Sequence, residues 1–180
     1  RLQRLKLKLM TAGPFSSTRI VSCSEYMKRD NLEHRGVPTD IISVLPSGVC
    51  RDIFQPVQSG RYDTDCFQIL FVGRPGRPSL SKGLDLLITA VDKLRDVDWS
   101  LTILGHNGPH ERVTDSYRAN TDRIEFVGTV PRRELSQYYN RADVYVCPSI
   151  GELESTTMIE ALSCGTPCIA TDELSFREIA

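Results

Sequence analysis

From Phe67 onward the chain alternates short apolar runs with longer stretches whose apolar residues recur at helical spacing. Each run closes on Gly, Pro or a polar residue, as a strand leaving a sheet does. FQILFVG (67–73), SLTILG (100–105), RIEFVG (123–128), DVYVCP (143–148) and TPCIAT (166–171) predict strands. KGLDLLITAVDKL (82–94), PHERVTDSYRA (109–119), PRRELSQYYNRA (131–142) and STTMIEALSCG (155–165) predict the helices between them. In the first helix Leu84, Leu87, Ile88 and Val91 share one stripe. Pro131 suits a first helical position, and Gly165 the residue just past a helix end.

Apolar strands alternating with helices imply a parallel sheet covered on both faces. Right-handed crossovers make it a doubly wound, Rossmann-like α/β sheet, whose ligands bind beyond the carboxyl ends of the strands. The loops after Val72, Leu104, Val127, Cys147 and Thr171 then form the rim of the site. The first 66 residues follow another pattern. TRIVSCS (18–24) predicts a strand, followed by a helix that Ser24 caps and Gly36 ends. IISVLPSG (41–48) predicts a strand and turn, and DIFQPVQSGRYDTD (52–65) has no period and reads as a linker. The basic, leucine-rich opening RLQRLKLKLM suits the tail of a cut helix better than a segment lying on an anionic membrane.

A length of 180 residues fits one domain plus a piece of another. Acids (23) and bases (22) nearly cancel, leaving a net charge of −1, which argues against a general nucleic-acid binder. No apolar run approaches the roughly 20 residues of a membrane-spanning helix. The six cysteines are scattered without a C-x-x-C pair. That spacing favours buried thiols in a reducing cytoplasm over a zinc site or a disulfide framework.

Two segments carry chemistry. The loop GRPGRPSLSKG (73–83) holds three glycines, two arginines and a lysine beside the next helix. Backbone N–H groups, cations and a helix start together suit phosphate, although taken alone the segment is equally a flexible basic loop. It matches neither G-x-G-x-x-G nor the P-loop, because Gly83 follows Lys82, and this disfavours a dehydrogenase or a P-loop NTPase. The second segment is CPSIGELESTTMIEALSCGTPCIATD (147–172). Here Glu152 falls in a loop and Glu160 in the first turns of a helix, with Ser155 at the cap. The amides of Thr156, Thr157 and Met158 face outward from the helix start. Amides for an anion, flanked by carboxylates that accept from hydroxyls, match a sugar diphosphate joined to a ribose. Glu160 alone would do no more than favour the helix dipole. Asp63-Thr64-Asp65 is a D-x-D triplet, but it lies in the linker before the first strand, so no metal is expected there. His106 and His110 read as solvated loop residues, and Trp99 and Tyr138-Tyr139 as packing.

GR…KG at 73–83, LGHNG at 104–108, FVG at 126–128, PS at 148–149 and E-x7-E followed by ALSCGTP occur in one order. The set resembles the C-terminal domain of the family-4, retaining GT-B glycosyltransferases, and the likeness spans about residues 18–180. VLPSGVCRDIF (44–54) is similar to the family's interdomain segment, where Asn more usually stands at Ser47. The resemblance implies 1–43 as the end of an N-terminal, acceptor-side domain. It further implies 44–66 as the linker and 67–180 as a donor domain incomplete at its C-terminus. It implies Gly73, Arg74 and Lys82 around the donor diphosphate, with Arg74 and Lys82 supporting its departure. Glu152 would bind the transferred sugar and Glu160 the ribose. Ser155, Thr156 and Thr157 would meet sugar and phosphate, and Gly105, Val127 and Val130 would lie near ribose and base. The implied reaction is hexosyl transfer with retention from a nucleotide-diphosphate sugar, UDP first and GDP next, to a glycan, lipid or small molecule. It would run without an essential metal, in the cytoplasm or at the cytoplasmic face of a membrane, and not in this fragment alone. Another GT-B enzyme (an epimerase or phosphorylase) and a non-catalytic nucleotide-sugar-binding module are the alternatives. Leu153-Glu154-Ser155-Thr156 departs from the small-residue run usual after the first glutamate, and Glu154 adds a charge there.

Overall fold

The computed structural model describes residues 19–32, 37–57, 65–73, 82–105 and 115–179. These pack as two compact units. The first holds the described residues up to Gly48 together with Glu152–Ser155 and the described residues from Asp172. The second holds the described residues within Val49–Gly151 and Thr156–Thr171.

In the first unit, strands β1 (Ile20–Ser22) and β2 (Ile42–Val44) pair in parallel, Ile20 opposite Ile42 and Ser22 opposite Val44. A helical segment follows β1, and its turns widen to a π-helix over Met27–Leu32. Ser24 caps it as expected, its Oγ accepting the Met27 N–H at 3.0 Å. The expected stop at Gly36 lies outside the described residues.

The second unit contains β3 (Phe67–Val72), β4 (Trp99–Leu104), β5 (Ile124–Gly128), β6 (Val144–Cys147) and β7 (Cys168–Ala170). They form one parallel sheet in the spatial order β5-β4-β3-β6-β7. The chain builds outward one way from β3, then returns to start again on its other side. That is the doubly wound, Rossmann-like order, with its switch point between β3 and β6. Helices α1 (Leu84–Val91), α2 (Asp115–Arg118), α3 (Arg132–Arg141) and α4 (Thr156–Ser163) alternate with the strands. A last helix, α5 (Leu174–Arg177), belongs to the first unit.

Strand alternation and helical period meet in one core. Trp99, Leu101 and Ile103 of β4 join Ile69 and Phe71 of β3 and the expected α1 stripe of Leu84, Leu87, Ile88 and Val91. Burial of about 1.5–3 kcal/mol for each large side chain makes this cluster the main support of the sheet. Gly165 ends α4 as expected, at φ +77°. The Thr166 N–H reaches the Ala161 carbonyl at 3.0 Å, and the Gly165 N–H reaches Leu162 at 2.9 Å, a Schellman closure. Pro131 differs from expectation, preceding the first helical residue with ψ 141°, while its carbonyl accepts the Glu134 N–H at 2.8 Å. Phe54, read as part of a structureless linker, is fully buried within the second unit. A lone aromatic between turns leaves no periodic signal, which is why pattern reading passed over it.

Gly83 starts α1 at φ +70°, and a Cβ there would lie 2.1 Å from the Pro148 carbonyl oxygen. Gly83→Ala should therefore destabilise the chain by about 3 kcal/mol or more, left-handed strain adding to backbone overlap. Gly151, at φ +76°, has nothing within 4 Å of its would-be Cβ. Gly151→Ala should cost only the strain, about 1–2 kcal/mol. Urea denaturation of both variants checks the pair, and equal losses would remove the close approach as the cause.

Candidate functional site

At the carboxyl ends of β3, β4 and β5, successive backbone bonds tie the strand tips together. The Gly73 N–H donates to the Leu104 carbonyl at 3.0 Å, and the Gly105 N–H donates to the Gly128 carbonyl at 2.6 Å. Gly105 (φ +86°) and Gly128 (φ +82°) turn the chain where a side chain would be strained. Gly73, Gly105, Val127 and Val130 thus stand on the expected rim, Gly73 buried and the other three half-buried. Lys82, half-buried, directly precedes Gly83 on the approach to Pro148 at the switch point. Arg74 lies outside the described residues, as do His106, His110, Asp63 and Thr64.

The E-x7-E segment crosses from one unit to the other. Glu152 and Ser155 belong to the first, where the Leu153 carbonyl accepts the Ser24 hydroxyl at 2.7 Å. Glu154, the departure from the family pattern, has a local task there: its Oε1 accepts the Ser47 N–H at 2.7 Å. Thr156, Thr157 and Glu160 belong to the second unit, in the first turns of α4. Thr157 Oγ1 accepts the Tyr145 hydroxyl of β6 at 2.8 Å, which ties the start of α4 to the sheet.

Glu160 is buried, with 5% of its surface exposed, and α3 supplies its partners. Arg132 Nη2 lies 2.9 Å from Oε1, and the Tyr139 hydroxyl donates to Oε2 at 3.2 Å. Sequence reasoning missed both partners. Arg132 and Tyr139 stand seven residues apart, two helical turns, and so share a face of α3. That spacing was the available signal, but an aromatic pair suggested packing alone. Burial raises the Glu160 carboxyl above its ordinary value, while the Arg132 charge and the bonds from Tyr139 and Arg132 oppose the rise. Burial, reinforced by the Glu160 charge, pushes the Tyr139 hydroxyl far up, so it remains a protonated donor.

Burial likewise pushes the Cys164 thiol up to about 11 and the Cys168 thiol up to about 12. Both are neutral packing groups near neutral pH. None of the six cysteines forms a disulfide. Among the described residues no cluster of three His, Cys, Asp or Glu suits a metal, and no helix is long and apolar enough to cross a membrane.

Sheet order, switch point and glycine-tied rim together define a Rossmann-like α/β domain. Residues 66–180 match the family model described as glycosyl transferases group 1. The chain belongs to that family. It is 31% identical over 169 residues to the D-inositol 3-phosphate glycosyltransferase of Pseudarthrobacter chlorophenolicus, covering 86% of this chain and 40% of that protein. It is 26% identical to the phosphatidylinositol N-acetylglucosaminyltransferase GPI3 subunit of Saccharomyces cerevisiae, covering 96% of this chain and 39% of that protein. The chain thus spans about two fifths of the length of these relatives. Among solved structures, Anabaena HepE in complex with UDP-glucose superposes with a TM-score of 0.79 at 17% identity, over 98% of this chain and 50% of that one. Sucrose-phosphate synthase of Thermosynechococcus elongatus gives a TM-score of 0.71 at 25% identity, over 94% and 43%.

The raised Glu160 carboxyl has a consequence for stability. The folded chain holds that proton more tightly than the unfolded chain, whose glutamates titrate near about 4.3. Ionising Glu160 therefore lowers stability as pH rises from that value through the raised folded one. Glu160→Gln should remove this part of the fall. Urea denaturation across the acidic range measures it, and a wild-type slope kept by the variant would contradict the shift.

Proposed function

We propose that the chain binds the donor of a retaining hexosyltransferase, a nucleotide-diphosphate sugar, UDP-linked first and GDP-linked next. The carrying observation is the sheet order, which sets its switch point between β3 and β6 and leads from each strand into a chemically suited segment. After β3 runs the basic loop ending at Lys82 and Gly83; after β6 runs the E-x7-E segment into α4. In this reading Arg74 and Lys82 hold the diphosphate and support its departure. Glu152 binds the transferred sugar, and Glu160 the ribose hydroxyls. Gly73 and the Ser155, Thr156 and Thr157 amides meet phosphate and sugar, while Gly105, Val127 and Val130 flank ribose and base.

The complex of the Anabaena protein with UDP-glucose supports a UDP-linked donor. Three relatives are named for inositol-bearing compounds, the third being the phosphatidyl-myo-inositol mannosyltransferase of Mycobacterium leprae. D-Inositol 3-phosphate and phosphatidylinositol are therefore the first acceptors to try. Residues up to 43 are read as part of an acceptor-side domain, 44–66 as the linker and 67–180 as the donor domain. A chain spanning two fifths of its relatives is expected to bind donor without turning it over. Six cysteines outside any disulfide favour a cytoplasmic setting.

Calorimetric titration with UDP-sugars and GDP-sugars tests this assignment. Arg74→Ala and Lys82→Ala should each weaken binding by about 1.5–3 kcal/mol, the scale of a charge-assisted hydrogen bond. Unchanged affinity in both would sink the phosphate assignment. In protein of the relatives' full length, Glu152→Gln should impair transfer more than nucleotide binding, and EDTA should leave transfer intact. Epimerised donor, or binding without transfer, would point to the other readings.

A further inference from the structure

The ribose role proposed for Glu160 leaves open what keeps a buried carboxylate ready to accept hydroxyls. Two donors hold it, one on each oxygen: Arg132 on Oε1 at 2.9 Å and Tyr139 on Oε2 at 3.2 Å. A carboxylate offers about four acceptor positions, so about two remain, one on each oxygen. A vicinal diol presents two O–H donors and matches that remainder.

Arg132 is itself held in place. Its guanidinium carbon lies 5.6 Å from the centroid of the Phe54 ring, a cation–π contact. Phe54 in turn meets Tyr139 edge-on, with centroids 6.0 Å apart. The Arg132 side chain is 62% exposed, whereas that of Glu160 is 6% exposed. A solvated cation thus reaches onto a buried anion across an aromatic base. We propose that Arg132 is a positioning residue for nucleotide binding, fixing the Glu160 carboxylate as a two-point acceptor for the ribose diol. The inference rests on Glu160 being the ribose reader.

The titratable groups facing this carboxylate are Arg132 and Tyr139 from α3 and Cys164, the residue just past α4. Tyr145 of β6 and Cys168 of β7 stand next to Tyr139. Burial keeps the tyrosines and thiols protonated, so they add no negative charge, and Arg132 is the cation of this set. Without it, burial would favour the protonated acid, and a protonated oxygen no longer accepts.

The test is titration of the chain with UDP-glucose, or GDP-glucose should it bind more tightly, from about pH 5.5 to about pH 8.5, where the sugar-diphosphate does not change charge. Wild type should show at most a shallow fall in affinity towards the acidic end, because Arg132 opposes the burial that raises Glu160. Arg132→Gln should bind about tenfold more weakly at the acidic end and recover towards the basic end, as a protonation-limited site does. Arg132→Lys should restore the wild-type profile, and Arg132→Gln combined with Glu160→Gln should show no pH dependence. The exposed position of Arg132 favours folded variants, which melting curves verify; the carboxyl carbon NMR signal of Glu160 reports its titration even without ligand. A flat profile in Arg132→Gln, or tighter binding at every pH, would overturn the inference. Unchanged affinity in Glu160→Gln, or no binding by wild type, would instead overturn the ribose reading beneath it.

Discussion

No side chain fits between the start of α1 and the loop after β6. The would-be Cβ of Gly83 meets Pro148 through its carbonyl oxygen, carbonyl carbon and Cβ, all within 3 Å. That contact lies at the one place in a doubly wound sheet where neighbouring strands send their chains to opposite sides. The candidate site residues of the second unit flank it in the chain. The basic loop after β3 must end there, the E-x7-E segment must depart from there, and α1 must begin in a left-handed turn that only glycine makes without strain. Residues of the α1 stripe then reach the faces of β3 and β4 in register, because their starting point is fixed.

How much of this was legible follows from how each feature is encoded. Strands and helices from Phe67 onward were readable because burial on one face imposes a period, and a period survives in the sequence. The α1 stripe was found residue for residue. Gly165 was readable because a helix end needs one left-handed residue and glycine supplies it. Phe54, Arg132 and Tyr139 were not readable as a group. They come from a turn and a helix face: Arg132 and Tyr139 meet Glu160, and Phe54 meets both of them from far along the chain, where no local pattern records the contact. Glu154 was visible as an anomaly, but its partner, the Ser47 backbone amide, has no sequence identity to read. Backbone donors are invisible to residue-type reasoning wherever the fold brings distant segments together.

A buried ion pair is weak evidence for stability, because desolvation of the charges offsets much of their attraction. For Glu160 the balance of effects is explicit: burial raises its carboxyl despite a guanidinium at 2.9 Å and a tyrosine hydroxyl at 3.2 Å. A methionine or leucine would avoid the desolvation of a charge but would leave the buried Tyr139 hydroxyl without its acceptor. The charge at this position does serve as an acceptor within the fold, since the buried Tyr139 hydroxyl and the Arg132 guanidinium both donate to it. The same logic explains why the partner is an exposed arginine. A planar guanidinium holds its donors in a fixed fork and does not lose its proton, so it can fix the direction of one carboxylate oxygen while remaining hydrated itself. Tyr139 cannot substitute for that charge, since a phenol is neutral or anionic, and its burial keeps it a neutral donor. The division of labour leaves the carboxylate anchored on two sides and chemically unsaturated on the rest. Such preorganisation would spare a ligand at this carboxylate the cost of ordering its acceptor.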